Sequence, residues 1–74
     1  MQNQKYTEER LIRIKQVQAM TGLSRSYVYH LSSKHLFPQS LALVAGGSSR
    51  AWLESEVRGW INQRIAERDQ EVGQ

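Results

Sequence analysis

Apolar residues change their spacing along this chain, and each change predicts a different element. "LIRI", Leu11 to Ile14, reads as a short strand with Arg13 on the opposite face from Ile12 and Ile14. Val17 and Met20 lie three apart, which predicts a short helix over Lys15 to Met20 stopped at Thr21-Gly22, where glycine can turn left-handed. In "TGLSRSYVYHL", Thr21 to Leu31, the apolar residues are Leu23, Val28 and Leu31, with arginine, serine, tyrosine and histidine between them. This predicts a second helix capped by Ser24, whose hydroxyl accepts from the backbone at Ser26 or Tyr27. It should end near Lys34 or His35, because Pro38 cannot continue it and Phe37 before it favours extended backbone.

Further on, "LALV" (Leu41 to Val44) and "RAWL" (Arg50 to Leu53) flank "AGGSS", predicting a β-hairpin with a five-residue loop. Val57, Trp60, Ile61 and Ile65 then follow an i, i+3, i+4, i+8 stripe, the mark of a final helix. Glu54 and Glu56 suit its positive N-terminal end, and Arg64 and Arg68 its other end. Gly59 inside this helix costs ~1 kcal/mol relative to alanine, so a close backbone contact is expected there. Residues 1–9 and 69–74 show no apolar period and read as flexible tails, leaving 10–68 as one domain.

The implied fold class is α+β, mostly α: a small winged helix-turn-helix with a short two- or three-stranded antiparallel sheet and a C-terminal helix. Lys15 to Lys34 supplies two short helices joined by a tight glycine turn. Winding the second helix at ~100° per residue places Val28 and Leu31 on one side. Ser26, Tyr29, His30 and Ser33 fall opposite, with Arg25, Tyr27 and Lys34 on the flanks. Such a surface suits the major groove of duplex DNA, where each base pair shows a distinct donor and acceptor pattern. Arg25 is the first candidate for base readout because arginine pairs bidentately with guanine, and Tyr29 and His30 follow. Ser24 is better explained as a cap, and Tyr27 serves the core edge as well as a phosphate. The alternative, a helical hairpin whose polar face only meets water, requires spacing, turn and charge to coincide by accident.

Charge sharpens this picture. The net charge is +3, yet none of the seven acids lies between Arg10 and Leu53. That stretch holds Arg10, Arg13, Lys15, Arg25, Lys34 and Arg50, a charge of +6, and the other four cations and seven acids leave −3 elsewhere. A carboxylate-free cationic stretch is the footprint expected against a polyanion. The hairpin tip offers a second contact: Ser48, Ser49 and Arg50 are placed to lie along the sugar-phosphate backbone as a wing. A plain surface turn is the competing explanation for that tip.

Composition excludes other classes. At 74 residues the chain makes one small domain that buries only ~60% of its unfolded surface, too little for a deep active site. Its longest apolar run, "LALVA", is far short of a membrane span, and "MQNQKYTEE" is no signal peptide. Without cysteine there is no disulfide, thiolate metal site or thiol nucleophile, so a cytoplasmic, nucleoid-associated protein is expected. His30 and His35 are five apart and share no helical face for a metal. "AGGSS" lacks the lysine and following helix of a phosphate-binding loop. No enzyme, cofactor, metal or small-molecule ligand is therefore expected.

Four stretches in order, "LIRIKQV", "TGLSRSYVYHL", the "FP" of Phe37-Pro38, and "RAWLESEVRGWI" with Trp52, Ser55, Glu56, Val57, Trp60 and Ile61, resemble the AlpA-type prophage regulators. These are grouped with MerR-like winged helices and phage excisionases. The resemblance covers about Leu11 to Arg68. It implies a winged helix-turn-helix that binds double-stranded DNA and controls integration or excision functions of a mobile element. "SRSYVYH" would be the recognition helix, Arg50 the wing arginine, and Trp52, Val57 and Trp60 core. This chain departs from the family in two places. "LALVAGGSSRAW" is longer and richer in glycine than the usual wing, and Lys34-His35-Leu36 stands where an acidic residue and glycine are common, leaving the exit from the recognition helix open. A sequence-specific transcriptional regulator is the leading reading. The alternatives are an excisionase-like architectural factor, self-associating on DNA, and a protein-interaction adaptor using Tyr27 and Tyr29.

Overall fold

A computed structural model describes residues 9–73. In chain order it contains β1 (Leu11–Ile12), α1 (Ile14–Thr21), α2 (Arg25–Ser33), β2 (Leu41–Ala42), β3 (Arg50–Leu53) and α3 (Glu54–Gly73). The sheet has three antiparallel strands in the order β1-β3-β2, resolving the two-or-three-strand expectation. Leu11 faces Leu53 and Ile12 faces Trp52 on one side of β3, while Leu41 faces Ala51 and Ala42 faces Arg50 on the other. Opposed residues point to the same face of the sheet. Ile12 and Trp52 thus turn inward together.

The core takes one residue from each of β1, α1, α2, the segment after α2, β3 and α3: Ile12, Val17, Val28, Phe37, Trp52 and Val57 are buried together. Ile14, Met20, Leu23, Leu31, Trp60 and Ile61 pack around them. The apolar spacing thus selects the buried face of each helix, except that Ile65, the last member of the α3 stripe, is 43% exposed because α3 has run past the core by that point. Among the described residues, no helix is long and apolar enough to cross a membrane.

Several boundaries differ from those expected of the sequence. The strand read as Leu11 to Ile14 stops at Ile12, because the Gln16 side chain accepts from the Arg13 N–H at 2.9 Å and starts α1 directly after it. The strand read as Leu41 to Val44 ends at Ala42, so the connection is residues 43–49 rather than a five-residue loop. There the Gly47 N–H donates to the Val44 carbonyl at 2.8 Å, and Gly46 takes a φ of 77°, a geometry that fits a type II turn. Val44 therefore belongs to the turn.

The tail expected over 69–74 is instead helical as far as Gly73, and Gln74 lies outside the described residues. Arg64–Glu67 and Gln63–Glu67 contacts one turn apart, together with good helix formers, carry α3 onward. The tail expected over 1–9 falls outside the described residues except for Glu9, which is exposed and accepts from the Ser55 hydroxyl at 3.2 Å. Gly59 is also corrected: among the described residues nothing lies within 4 Å of where its β-carbon would stand, so no close approach explains it.

Candidate nucleic-acid interface

The turn between α1 and α2 is built as its residues require. Gly22 has a φ of 79° and donates to the Gln18 carbonyl at 2.7 Å, closing α1. The Thr21 hydroxyl donates to Val17 O at 2.8 Å and accepts from the Leu23 N–H at 3.2 Å. Leu23 then packs inward, and the Ser24 hydroxyl accepts from the Tyr27 N–H at 3.2 Å as the α2 cap. Only three residues separate the helices, so their relative orientation is tightly set.

On α2, Val28 is fully buried and Leu31 half-buried, while Arg25, Ser26, Tyr27, Tyr29, His30, Ser33 and Lys34 are all exposed. Their side chains are not equally free. Tyr27 and His30 stack with ring centroids 5.8 Å apart. Ser33 spends its hydroxyl proton on the His30 carbonyl at 2.7 Å, and Ser26 lies 3.5 Å from the Ser24 hydroxyl. Tyr29, read as an outward residue, is 37% exposed with its ring centroid 5.9 Å from Trp52, and the Arg25 guanidinium lies over that ring at 5.7 Å. It sits where the outward face meets the core.

The exit from α2 answers the question left by Lys34-His35-Leu36. The Leu36 N–H donates to Leu31 O at 2.9 Å and the His35 N–H to Ser32 O at 3.0 Å, the paired bonds of a Schellman ending. His35 occupies its left-handed position with a φ of 60°, the conformation usually given to glycine. Gln39 fastens the following segment by donating to Ser32 O at 2.8 Å.

The hairpin places Ser48 and Ser49 in the exposed connection between β2 and β3. Arg50 is half-buried, and its guanidinium donates to the Ser40 hydroxyl and the Ser40 carbonyl, both at 3.0 Å. Much of its donor capacity thus holds β2 in place. Arg13, which the sequence marks as the outward member of a strand and as one cation of the acid-free stretch, donates from Nε to the Arg50 carbonyl at 2.9 Å and joins the start of α1 to the hairpin base. A lone cation between two core isoleucines was the available signal for it.

The electrostatic pattern survives folding. Among the described residues, the salt bridges involve Arg10, Arg58, Arg64 and Arg68. Arg10 is drawn to Glu54 at 3.7 Å, which subtracts it from the cationic stretch. Lys15, Arg25 and Lys34 pair with no carboxylate among the described residues.

The family described as "Prophage CP4-57 regulatory protein (AlpA)" matches residues 10–65, which spans both helices of the turn, the sheet and the first half of α3. The chain is also 47% identical over 62 residues to "Uncharacterized protein ORF88" of Enterobacteria phage P4, covering 84% of this chain and 68% of that one. No solved structure matches. With more than half its length matched, the chain belongs to the AlpA family of prophage regulatory proteins.

Proposed function

We propose that this regulatory protein acts by binding double-stranded DNA as a winged helix-turn-helix, with α2 in the major groove and the β2–β3 hairpin as a wing. The observation that carries this is the outward surface of α2 with its unpaired neighbouring cations. Arg25 and Lys34 have no carboxylate partner among the described residues, and the residues between them present hydroxyl, phenol and imidazole groups. Arg25 near the helix start is the principal base reader, as arginine suits the paired acceptors of guanine. Ser26, His30 and Ser33 are available to bases, and Lys34, Tyr27, Ser24, Ser48 and Ser49 to phosphates. Arg50 supports the wing through Ser40 and faces the backbone with its remaining donors.

The test is selection of a duplex from a randomised library, followed by titration at several salt concentrations. Contact with ~4 to 6 phosphates gives a slope of log K against log salt of about −4 to −5. Arg25→Ala costs ~1–3 kcal/mol on the selected site and flattens discrimination at one position. Binding that is absent, or insensitive to salt, overturns the proposal.

One observation favours an architectural variant of the same reading. No formally charged residue lies between Lys34 and Arg50, and the hairpin connection exposes Leu43 and Val44, the latter 66% accessible. Apolar side chains at such a tip act as wedges in minor-groove proteins that kink the duplex. Bend angle on the selected duplex separates the two: a strong bend lost in Val44→Ser supports the architectural role, and a straight complex removes it.

A further inference from the structure

We propose that Tyr29 is a positioning residue, holding Arg25 on its ring face so that the guanidinium is presented to one base in a fixed orientation. This rests on the DNA-binding reading above and assigns Tyr29 a role other than touching DNA.

The geometry is a chain of three side chains in contact, running from the core to the outward side of α2. At its base is Trp52, 1% exposed, anchored in the central strand β3 opposite Ile12. Its indole N–H is buried without a hydrogen-bond partner among the described residues. Tyr29 leans on it with centroids 5.9 Å apart at 59°. Arg25, one helical turn before Tyr29, lies over the tyrosine ring at 5.7 Å. Residues at i and i+4 share a helix face, so α2 itself brings the two together.

The chemistry divides Arg25 into two working parts. The flat face of a guanidinium is attracted to the electron-rich face of an aromatic ring, while its N–H donors lie in the plane at the edge. An attraction made through the face leaves the in-plane donors free for acceptors. Among the described residues no carboxylate competes for that edge. A long side chain already lodged on a ring also loses less rotamer freedom on docking than one waving in water. Because Trp52 is fixed by the sheet, its position reaches Arg25 through one ring.

The phenol hydroxyl has no part in this, which makes the claim testable. On the selected duplex, Tyr29→Phe retains wild-type affinity and preference. Tyr29→Leu, which keeps apolar bulk without a π face, lowers the ratio of affinity for selected over scrambled duplex about tenfold while leaving the salt slope unchanged. In an Arg25→Ala background the same leucine substitution has no further effect on that ratio. In the free protein, ¹⁵N relaxation of the Arg25 Nε–H reports an ordered group in wild type and Tyr29→Phe and a mobile one in Tyr29→Leu, with circular dichroism melts confirming that all variants fold. An equal loss in the Arg25→Ala background, failure of phenylalanine to preserve preference, or an Arg25 equally mobile in all variants overturns the proposal. If wild type prefers no duplex, the DNA reading itself fails, and the relaxation data still say whether the contact exists.

Discussion

The indole N–H of Trp60 donates to the carbonyl oxygen of Leu36 at 2.9 Å, joining the last helix to the segment that leaves α2. Phe37 meets the same indole edge-on with centroids 4.9 Å apart, and the Arg64 guanidinium lies over it at 5.6 Å. The C-terminal end of α2 is thus aimed by α3. Trp60→Phe keeps the ring contact and loses the hydrogen bond. Leu36 is 59% exposed, so water can reach its carbonyl, and the expected loss is ~0.5–1.5 kcal/mol. Trp60→Ala removes both contacts and should cost ~2–3 kcal/mol, below the range for fully buried tryptophan. Urea unfolding of the three proteins measures both steps.

His35 holds the left-handed position of the Schellman ending with its φ of 60°. A β-carbon is disfavoured there by roughly 1 kcal/mol, and glycine is not. His35→Gly is therefore expected to stabilise the domain by about 0.5–1 kcal/mol, which for a chain this small raises Tm by roughly 2–8 °C. The histidine ring borders a groove with Leu36, Pro38 and Trp60. A lower Tm in the glycine variant would mean that this packing outweighs the backbone strain.

Val28, Val57 and Ile61 were legible as core because a period of 3.6 places them on the inner face of their helices, although Ile65 of the same stripe is exposed; Trp52 came only with the family resemblance, since alternation would pair it with Arg50. Ser24 as cap and Gly22 as terminator were legible for a similar reason: each satisfies a need within four residues of itself. What the sequence hid is long-range. Nothing local to Tyr29 says that Trp52 lies beneath it, and nothing local to Arg50 says that Ser40 takes its donors. Boundaries moved where a local competitor intervened, as when Gln16 caps Arg13 and cuts the first strand short. The helix beyond residue 68 was missed because its support comes from side-chain pairs along one surface, which leave no apolar stripe. DNA contact by Ser48 and Ser49 stays an expectation of the sequence.

Arg50 joins two duties that a substitution can separate. Its two donors to Ser40 hold β2 against β3, and its carbonyl receives Arg13. Arg50→Ala is expected to lower stability by ~1–2 kcal/mol, because two partly buried acceptors lose a charged donor. It should also weaken binding to selected and scrambled duplexes by similar factors. Arg50→Lys restores the charge without the fork and recovers the electrostatic part alone. Unfolding and binding measured on the same two variants check this; full recovery of stability by lysine would show that the bidentate geometry at Ser40 is dispensable.

Gly59 sits inside α3, exposed, with open space where its β-carbon would stand. A glycine in a helix interior forfeits about 0.5–1 kcal/mol relative to alanine, because its unfolded backbone has more freedom to lose. Where a glycine is kept for a close approach, alanine destabilises, and the sequence alone pointed that way. The open surroundings reverse the sign: Gly59→Ala is expected to stabilise by about 0.5–1 kcal/mol, with no change in DNA affinity, since α3 carries none of the proposed contacts. Thermal melts and duplex titration give the two readings. A stabilised protein with weakened binding would place the outer face of α3 in the functional complex, through a partner that approaches the bare backbone at residue 59.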